Sequence, residues 1–266
     1  MRKAPPVSAI DTRLPAMLRG GLPLAGMFVG FPSPALVEMC GYAGFDFVII
    51  DNEHGPQSLE TTEHMIRAAR CAGTIPIVRT AEADLLRVLD AGASGVQVPM
   101  VNTAAEARRI VEACKYPPLG KRSSAFTARA GGYTFFGGAG QIARANEGIA
   151  IVLMIETAEA VANLDAIVAV PNIDCLFVGL SDLALSMGHA GDNLHPRVQE
   201  TLQTVFAKAR QAGIAAGVLA SSPMDFNRYA SMGATYLPMT MASVIGGALR
   251  EAVAMRKGAR VAAERR

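Results

Sequence analysis

Eight short apolar runs punctuate the chain, at residues 26–30, 47–51, 76–80, 95–100, 150–156, 175–179, 215–219 and 235–239. Most are continuous and rich in β-formers. That is the pattern of parallel strands covered on both faces. Helical periodicity fills the intervals. Residues 33–42 open with Ser33 and Pro34 and are followed by Gly44, while 58–72 begin on a capping Ser58 and stop before Gly73. Residues 84–91 end at Gly92 and 103–116 at Pro117-Pro118; 158–168, 196–212 and 223–232 complete the alternation. A repeated cadence of apolar run, cap and amphipathic helix predicts an α/β fold of βα units. Eight units favour a closed (β/α)8 TIM barrel over an open doubly wound sheet. The expected barrel covers residues 22–240, with a helix and tail at 241–266, all in one domain spanning 1–266.

The chain length of 266 residues matches the roughly 250 that such a barrel needs. A hydrophobic fraction of 51% supplies a large core and argues against disorder. The formal charge of +2 is nearly balanced, and no cluster of Lys and Arg forms a nucleic-acid footprint. The basic stretch from Met255 to Arg266 reads as a solvated helix end. Cys40, Cys71, Cys114 and Cys175 form no CxxC pair and no zinc spacing with histidine, as expected of reduced thiols in the cytoplasm. Arg2 and Lys3 are followed by Pro5, Pro6 and Asp11 where a signal peptide needs an apolar run. The longest apolar run, 149–155, is too short to span a bilayer. The expectation is a soluble cytoplasmic protein without nucleic-acid or membrane partners.

One interval breaks the rhythm. Residues 116–148 contain a stretch at 131–140 rich in glycine and aromatics, the composition of a lid or binding loop. Within it, Gly138-Ala139-Gly140-Gln141-Ile142-Ala143 imitates a dinucleotide fingerprint, with Glu156 at about the ribose distance. No Rossmann first strand precedes it, and no GK[ST] follows, so no organic cofactor is expected.

In a barrel, chemistry sits at the C-terminal ends of the strands. There the sequence places Asp51-Asn52-Glu53-His54-Gly55-Pro56, Arg79, Glu156-Thr157 and Gly179-Leu180-Ser181-Asp182. Glu156 and Asp182 offer two hard oxygen ligands and leave octahedral positions of Mg2+ or Mn2+ open for water and a chelating 2-oxo acid. Such a cation would stabilise an enolate as a Lewis acid. The competing reading, that each carboxylate caps the next helix, is stronger for Asp182 alone than for both together. His54 is the natural proton-transfer group, with Asp51 three residues earlier to orient it, unless it is a loop histidine with a local bond. Arg79 could neutralise a developing enolate oxygen or form a rim salt bridge. Backbone N–H groups of Gly179 and Ser181 could receive a substrate carboxylate. Arg122, Ser123, Ser124 and Arg129 could bind the distal group of an aldehyde, or be surface and interface charges. The five lysines, Lys3, Lys115, Lys121, Lys208 and Lys257, end no expected strand, which disfavours a Schiff-base mechanism. A lyase or decarboxylase acting on oxaloacetate or an acyl-CoA could use the same enolate. A non-catalytic ligand-binding barrel would be expected to lose His54, Arg79 or a carboxylate, and all are present.

The motifs DNEHGP (51–56), VPMV (98–101), YPPLGKR (116–122), MIET (154–157), GLSDL (179–183) and MGHAGDNLHP (187–196) resemble the HpcH/HpaI-type family of metal-dependent pyruvate aldolases. That family includes 4-hydroxy-2-oxoheptanedioate and 2-dehydro-3-deoxyglucarate aldolases, and the resemblance runs in order over residues 20–250. It implies a barrel of the phosphoenolpyruvate/pyruvate type with Mg2+, Mn2+ or Co2+ on Glu156 and Asp182. It implies acid–base work by His54, assisted by Asp51, through a water on the metal. Arg79 would contact the 2-oxo oxygen, and Glu53 would hold water. Substrates would be a 4-hydroxy-2-oxo acid, cleaved reversibly to pyruvate or hydroxypyruvate and an aldehyde. The assembly would be a homohexamer, a trimer of dimers, with the helix at 241–257 swapped between neighbours. Asn52 stands where Gly is common, Thr80 where Pro is, Met154 where Gln is and Ser181 where Ala is; none removes a ligand.

Overall fold

The computed structural model describes residues 8–264, with side chains as far as Met255. Eight strands form: β1 (Leu24–Val29), β2 (Phe47–Asp51), β3 (Ile75–Arg79), β4 (Gly95–Val98), β5 (Ala150–Ile155), β6 (Cys175–Val178), β7 (Ala215–Val218) and β8 (Tyr236–Thr240). All pair in parallel with their sequence neighbours, and β8 closes on β1. The apolar runs are continuous because alternate residues fill two cores. Phe47, Ile49, Ile77, Val152, Phe177 and Tyr236 pack inside the barrel. Val48, Ile50, Val78, Leu153, Leu176 and Val178 pack outward against the helices. Inside, the Phe47 and Tyr236 rings stack at 4.2 Å. Gly26 makes room for them: a Cβ there would lie 2.1 Å from the Phe47 ring.

Among the described residues twelve α-helices accompany the strands: α1 (Leu14–Arg19), α2 (Pro34–Ala43), α3 (Leu59–Ala72), α4 (Leu85–Asp90), α5 (Ala104–Cys114), α6 (Ala139–Gly148), α7 (Ala158–Ala162), α8 (Leu164–Val168), α9 (Leu180–Ser186), α10 (Pro196–Gln211), α11 (Pro223–Ser231) and α12 (Met241–Glu264). The expected caps form. Ser33 accepts the Leu36 N–H, Ser58 the Thr61 N–H, and Thr103 closes a reciprocal box with Glu106. The short α1 was not foreseen; its Leu14 and Leu18 plug the barrel floor. The expected helix at 158–168 breaks at Asn163, whose side chain donates instead to the Asn102 carbonyl at 2.9 Å.

The 116–148 interval departs from expectation. Its second part is the regular helix α6, and Gly138, at φ +82°, is the turn that starts it. A 3-10 turn and loop precede it rather than a strand, so the glycine spacing has no dinucleotide context. The glycine-aromatic stretch does not cover the barrel mouth of its own chain. Arg129 anchors it to the Ala91 carbonyl at 2.9 Å, and the Tyr133 hydroxyl accepts from Arg67 on α3 at 3.0 Å. All four cysteines are free thiols; only Cys71 is exposed. No described helix is long and apolar enough to cross a membrane. The expected basic tail beyond Met255 lies outside the residues whose side chains are described.

Candidate active site

A cavity of about 570 Å3 opens at the C-terminal ends of the strands. Register explains its first feature: β2 and β3 pair so that Asp51 lies beside Arg79. The guanidinium forks onto the carboxylate, Nε to Oδ1 at 2.8 Å and Nη2 to Oδ2 at 2.6 Å. Its Nη1 lies 3.1 Å from Glu53 Oε2, and its plane sits 5.0 Å from the Phe28 ring centre. Burial alone would raise the Asp51 pKa. The hydrogen bonds and charge of Arg79, with the N–H groups of His54 and Glu53, outweigh burial and hold it below the usual range. Burial likewise works against the Arg79 cation, but Asp51, Glu53 and Glu156 more than offset it.

This arrangement gives Asp51 a different role from the expected one. Its Oδ1 accepts the main-chain N–H of Glu53 at 3.2 Å and of His54 at 3.3 Å. Asp51 therefore shapes the 51–55 turn and fixes Arg79, and it does not hold the imidazole. The His54 side chain is 70% exposed, and the carboxylate beside its Nε2 is Glu53, at 3.9 Å.

Across the rim, Glu156 follows β5 and is only 3% exposed. Its Oε1 accepts the Met100 N–H at 2.6 Å. Met100 turns that N–H inward by adopting φ +56°, a left-handed conformation uncommon for a side-chain-bearing residue. The loop is pinned by the Thr103–Glu106 box and by Asn102, which pairs with the Thr157 hydroxyl. Oε2 packs against Gly179, where a Cβ would lie 2.4 Å away. Burial, then the charges of Asp182 and Glu53, push Glu156 up to about 7 against the lowering effects of the Met100 N–H and Arg79.

The helix-cap reading of the two carboxylates fails on these contacts. Thr157, not Glu156, caps α7, and α9 has no side-chain cap although Asp182 lies in its first turn. Among the described residues no group of three His, Cys, Asp or Glu side chains gathers to hold a metal. Glu156 and Asp182 nonetheless fit a hard cation. Burial chiefly raises Glu156, the like charges of Asp182 and Glu53 add to it, and Arg79 offsets them only in part, so a cation would be favoured there; two oxygen ligands leave room for water and a chelating substrate.

The other expected contacts divide. Asp51, Arg79, Gly179, Ser181 and Asp182 all line the cavity. The Gly179 N–H, however, already donates to the Ile155 carbonyl at 3.3 Å, so it is not open to a substrate carboxylate. The Ser181 hydroxyl accepts from Asn193 at 3.2 Å. Arg122 does not reach the cavity. Its side chain is 1% exposed, donates to Asp90 at 2.9 Å and lies 4.7 Å over the Tyr116 ring. Asp90 ends α4 and Tyr116 follows α5, so this cluster sits at the opposite end of the barrel. No described lysine lines the cavity; Lys115 is buried between the Asn146 and Ile149 carbonyls, 2.7 Å from each. Sequence reasoning missed Met100, whose contribution is a main-chain N–H. It also missed Asp225 and Tyr229, which line the far wall and whose one signal was an i, i+4 spacing.

The family model for HpcH/HpaI aldolase/citrate lyase matches residues 24–243. A 2-dehydro-3,6-dideoxy-6-sulfogluconate aldolase of Pseudomonas putida is 39% identical, covering 78% of this chain and 82% of its own. A hydroxypyruvate/pyruvate aldolase of Roseovarius nubinhibens is 38% identical over 84% and 87%. Among solved structures, an HpcH/HpaI aldolase/citrate lyase family protein from Burkholderia cenocepacia superposes with a TM-score of 0.87 at 32% identity, covering 92% of this chain and 99% of that one. Motif order, barrel topology and these matches agree, and the chain belongs to the HpcH/HpaI aldolase/citrate lyase family.

Proposed function

We propose that this chain is a divalent-cation-dependent aldolase that interconverts a 4-hydroxy-2-oxo acid with an aldehyde and pyruvate, or a related 2-oxo acid such as hydroxypyruvate. One observation carries this: Glu156, buried and set beside Asp182, faces the same rim as a fixed Arg79, and no described lysine lines the cavity. Aldolase relatives at 38–39% identity support the reaction class.

Mg2+, Mn2+ or Co2+ held by Glu156 and Asp182 would supply Lewis-acid polarisation of the 2-oxo group. Arg79, clamped by Asp51 and Glu53, is oriented in advance to stabilise negative charge on the 2-oxo oxygen. In cleavage the 4-hydroxyl loses its proton, the C3–C4 bond breaks, and C3 of the pyruvate fragment gains a proton. Condensation runs this in reverse. His54, with Glu53 beside it, is assigned the proton movement at the rim. Ser181 is assigned to the substrate carboxylate, and Phe28, Met154 and Phe177 give the cavity an apolar lining.

Oligomerisation and location belong to the same reading. Leu249, Val253 and Met255 are exposed on α12, and a homohexamer with this helix laid on neighbours would bury them. Free thiols suit the cytoplasm. The deciding experiment is aldol turnover with pyruvate and hydroxypyruvate, with and without EDTA. Activity restored by Mn2+ or Mg2+ is expected; EDTA-insensitive turnover sinks the cation-dependent reading.

A further inference from the structure

The wall of the cavity away from Glu156 is built by the ends of β7 and β8 and by α11. Ser221, Asp225, Tyr229 and Thr240 line it. Asp225 and Tyr229 lie one helical turn apart on α11, so both present to the same side. Tyr229 is 4% exposed, packs in the core and is among the residues that line the cavity. Burial and the Asp225 charge keep the phenol protonated, which leaves it a donor. Asp225 accepts the Ser222 hydroxyl on Oδ2 at 2.9 Å, and its Oδ1 remains an acceptor. The wall therefore offers one donor and one anionic acceptor.

What the wall lacks matters equally. Among the described residues the one cation lining the cavity is Arg79, forked onto Asp51 and touching Glu53. Arg228, the cation on α11, turns away to Gln199 at 2.6 Å and stacks 5.5 Å from the Tyr229 ring. Arg122 and Arg129 are anchored at the other end of the barrel. An acceptor tail carrying a carboxylate, sulfonate or phosphate would meet Asp225 with no counter-charge, an arrangement that rejects by repulsion and desolvation.

We propose that this wall is the acceptor subsite and selects uncharged aldehydes bearing hydroxyl groups over aldehydes with an anionic tail. The proposal rests on the aldolase reading above. A substrate hydroxyl donates to Asp225 and accepts from Tyr229. A site built to hydrogen-bond a hydroxyl discriminates strongly against the analogue lacking it, because its own buried groups are left unpaired.

The test uses the full-length protein with Mn2+, pyruvate and three aldehydes: glycolaldehyde, propionaldehyde of matching size without the hydroxyl, and anionic succinic semialdehyde. Glycolaldehyde is expected to have the highest kcat/KM of the three. Ratios between variants cancel the intrinsic reactivity of each aldehyde. Tyr229→Phe should lower the glycolaldehyde-to-propionaldehyde ratio about tenfold. Asp225→Asn, which keeps shape and the Ser222 contact, should lower the glycolaldehyde-to-succinic-semialdehyde ratio about tenfold. A merely structural role for either residue moves all aldehydes equally and leaves the ratios unchanged, which overturns the proposal. So does a wild-type preference for succinic semialdehyde. Exchange of pyruvate methyl protons with deuterated water tests the underlying reading separately. Absence of exchange refutes the aldolase assignment; exchange with flat ratios refutes the subsite alone.

Discussion

The two sides of the rim carry carboxylates in opposite electrostatic states. On the β2–β3 side, Asp51 is buried against a forked Arg79 and held below the usual carboxylate range. On the β5–β6 side, Glu156 is equally buried, has Asp182 and Glu53 for neighbours, and is pushed up to about 7. Depth does not distinguish them; the partner does. A buried charge paired by hydrogen bonds is a fixed structural part, whereas a buried charge without a counter-ion is costly. The protein has thus completed one side and left the other short of positive charge. On the proposed function, that shortage suits Glu156 and Asp182 to a cation and leaves Asp51–Arg79 as a prearranged brace for the substrate oxygen.

The comparison breaks most visibly at Glu156. Glu156→Gln keeps the shape and removes the ligand charge. We expect turnover to fall at least about 1,000-fold and calorimetric Mn2+ binding to disappear, with circular dichroism unchanged. Mn2+ affinity within a few-fold of wild type would show that the shortage of positive charge is not a cation site. On the other side, Arg79→Ala leaves Asp51 buried and unpaired. It should cost about 3–5 kcal/mol in urea denaturation and lower kcat, while Mn2+ binding survives.

The two sides also respond to pH in opposite directions. Asp51 has a lowered pKa, so its contribution is present above its ordinary value of 3.8 and lost as pH falls. Glu156 is raised from 4.5 to about 7, so its contribution is full below pH 4.5 and lost as pH rises through about 7. In EDTA, Glu156→Gln should therefore melt higher than wild type at pH 8, by up to about 3 kcal/mol, and show no such advantage at pH 4.5. Saturating Mn2+ should cancel the advantage at pH 8. An equal difference at both pH values would mean that the charge of Glu156 is not what the fold resists.

These pairings were only partly legible in the sequence. The eight strands were readable because burial on both faces writes itself as continuous apolar runs, and Ser33, Ser58 and Thr103 signal caps by local chemistry. Strand ends then located Asp51, Arg79, Glu156 and Asp182. The errors concern contacts distant in sequence. Asp51 had His54 as its nearest basic neighbour in the chain, but its partner is Arg79, 28 residues away across the β2–β3 register. Arg122 belonged to a loop of binding composition, yet Asp90, 32 residues earlier, draws it to the opposite end of the barrel. The Gly179 N–H was expected to be open, but a strand neighbour takes it. The short α1 escapes because it precedes the first strand and so falls outside the βα cadence that revealed α4, a helix of the same length.

The smallest expected effect tests how the unpaired side is held. Asp51 depends on the side chain of Arg79, so deleting that side chain should be severe. Among the described residues, the hydrogen bond to Glu156 comes from the main chain of Met100, whose side chain is half-exposed. Its identity should matter only through φ +56°. Met100→Gly relieves the left-handed strain but loosens the unfolded chain, and these terms oppose one another. Stability should change by no more than about 1 kcal/mol, and Mn2+ affinity should stay within about threefold. Met100→Val keeps the N–H, but a β-branched residue resists positive φ. It should lose about 1–2 kcal/mol and bind Mn2+ more weakly, because the N–H can then hold Oε1 only at a cost in strain. If Gly and Val behaved alike, the left-handed turn at Met100 would have no part in positioning Glu156. The N–H would then be an incidental contact on a carboxylate held by packing against Gly179.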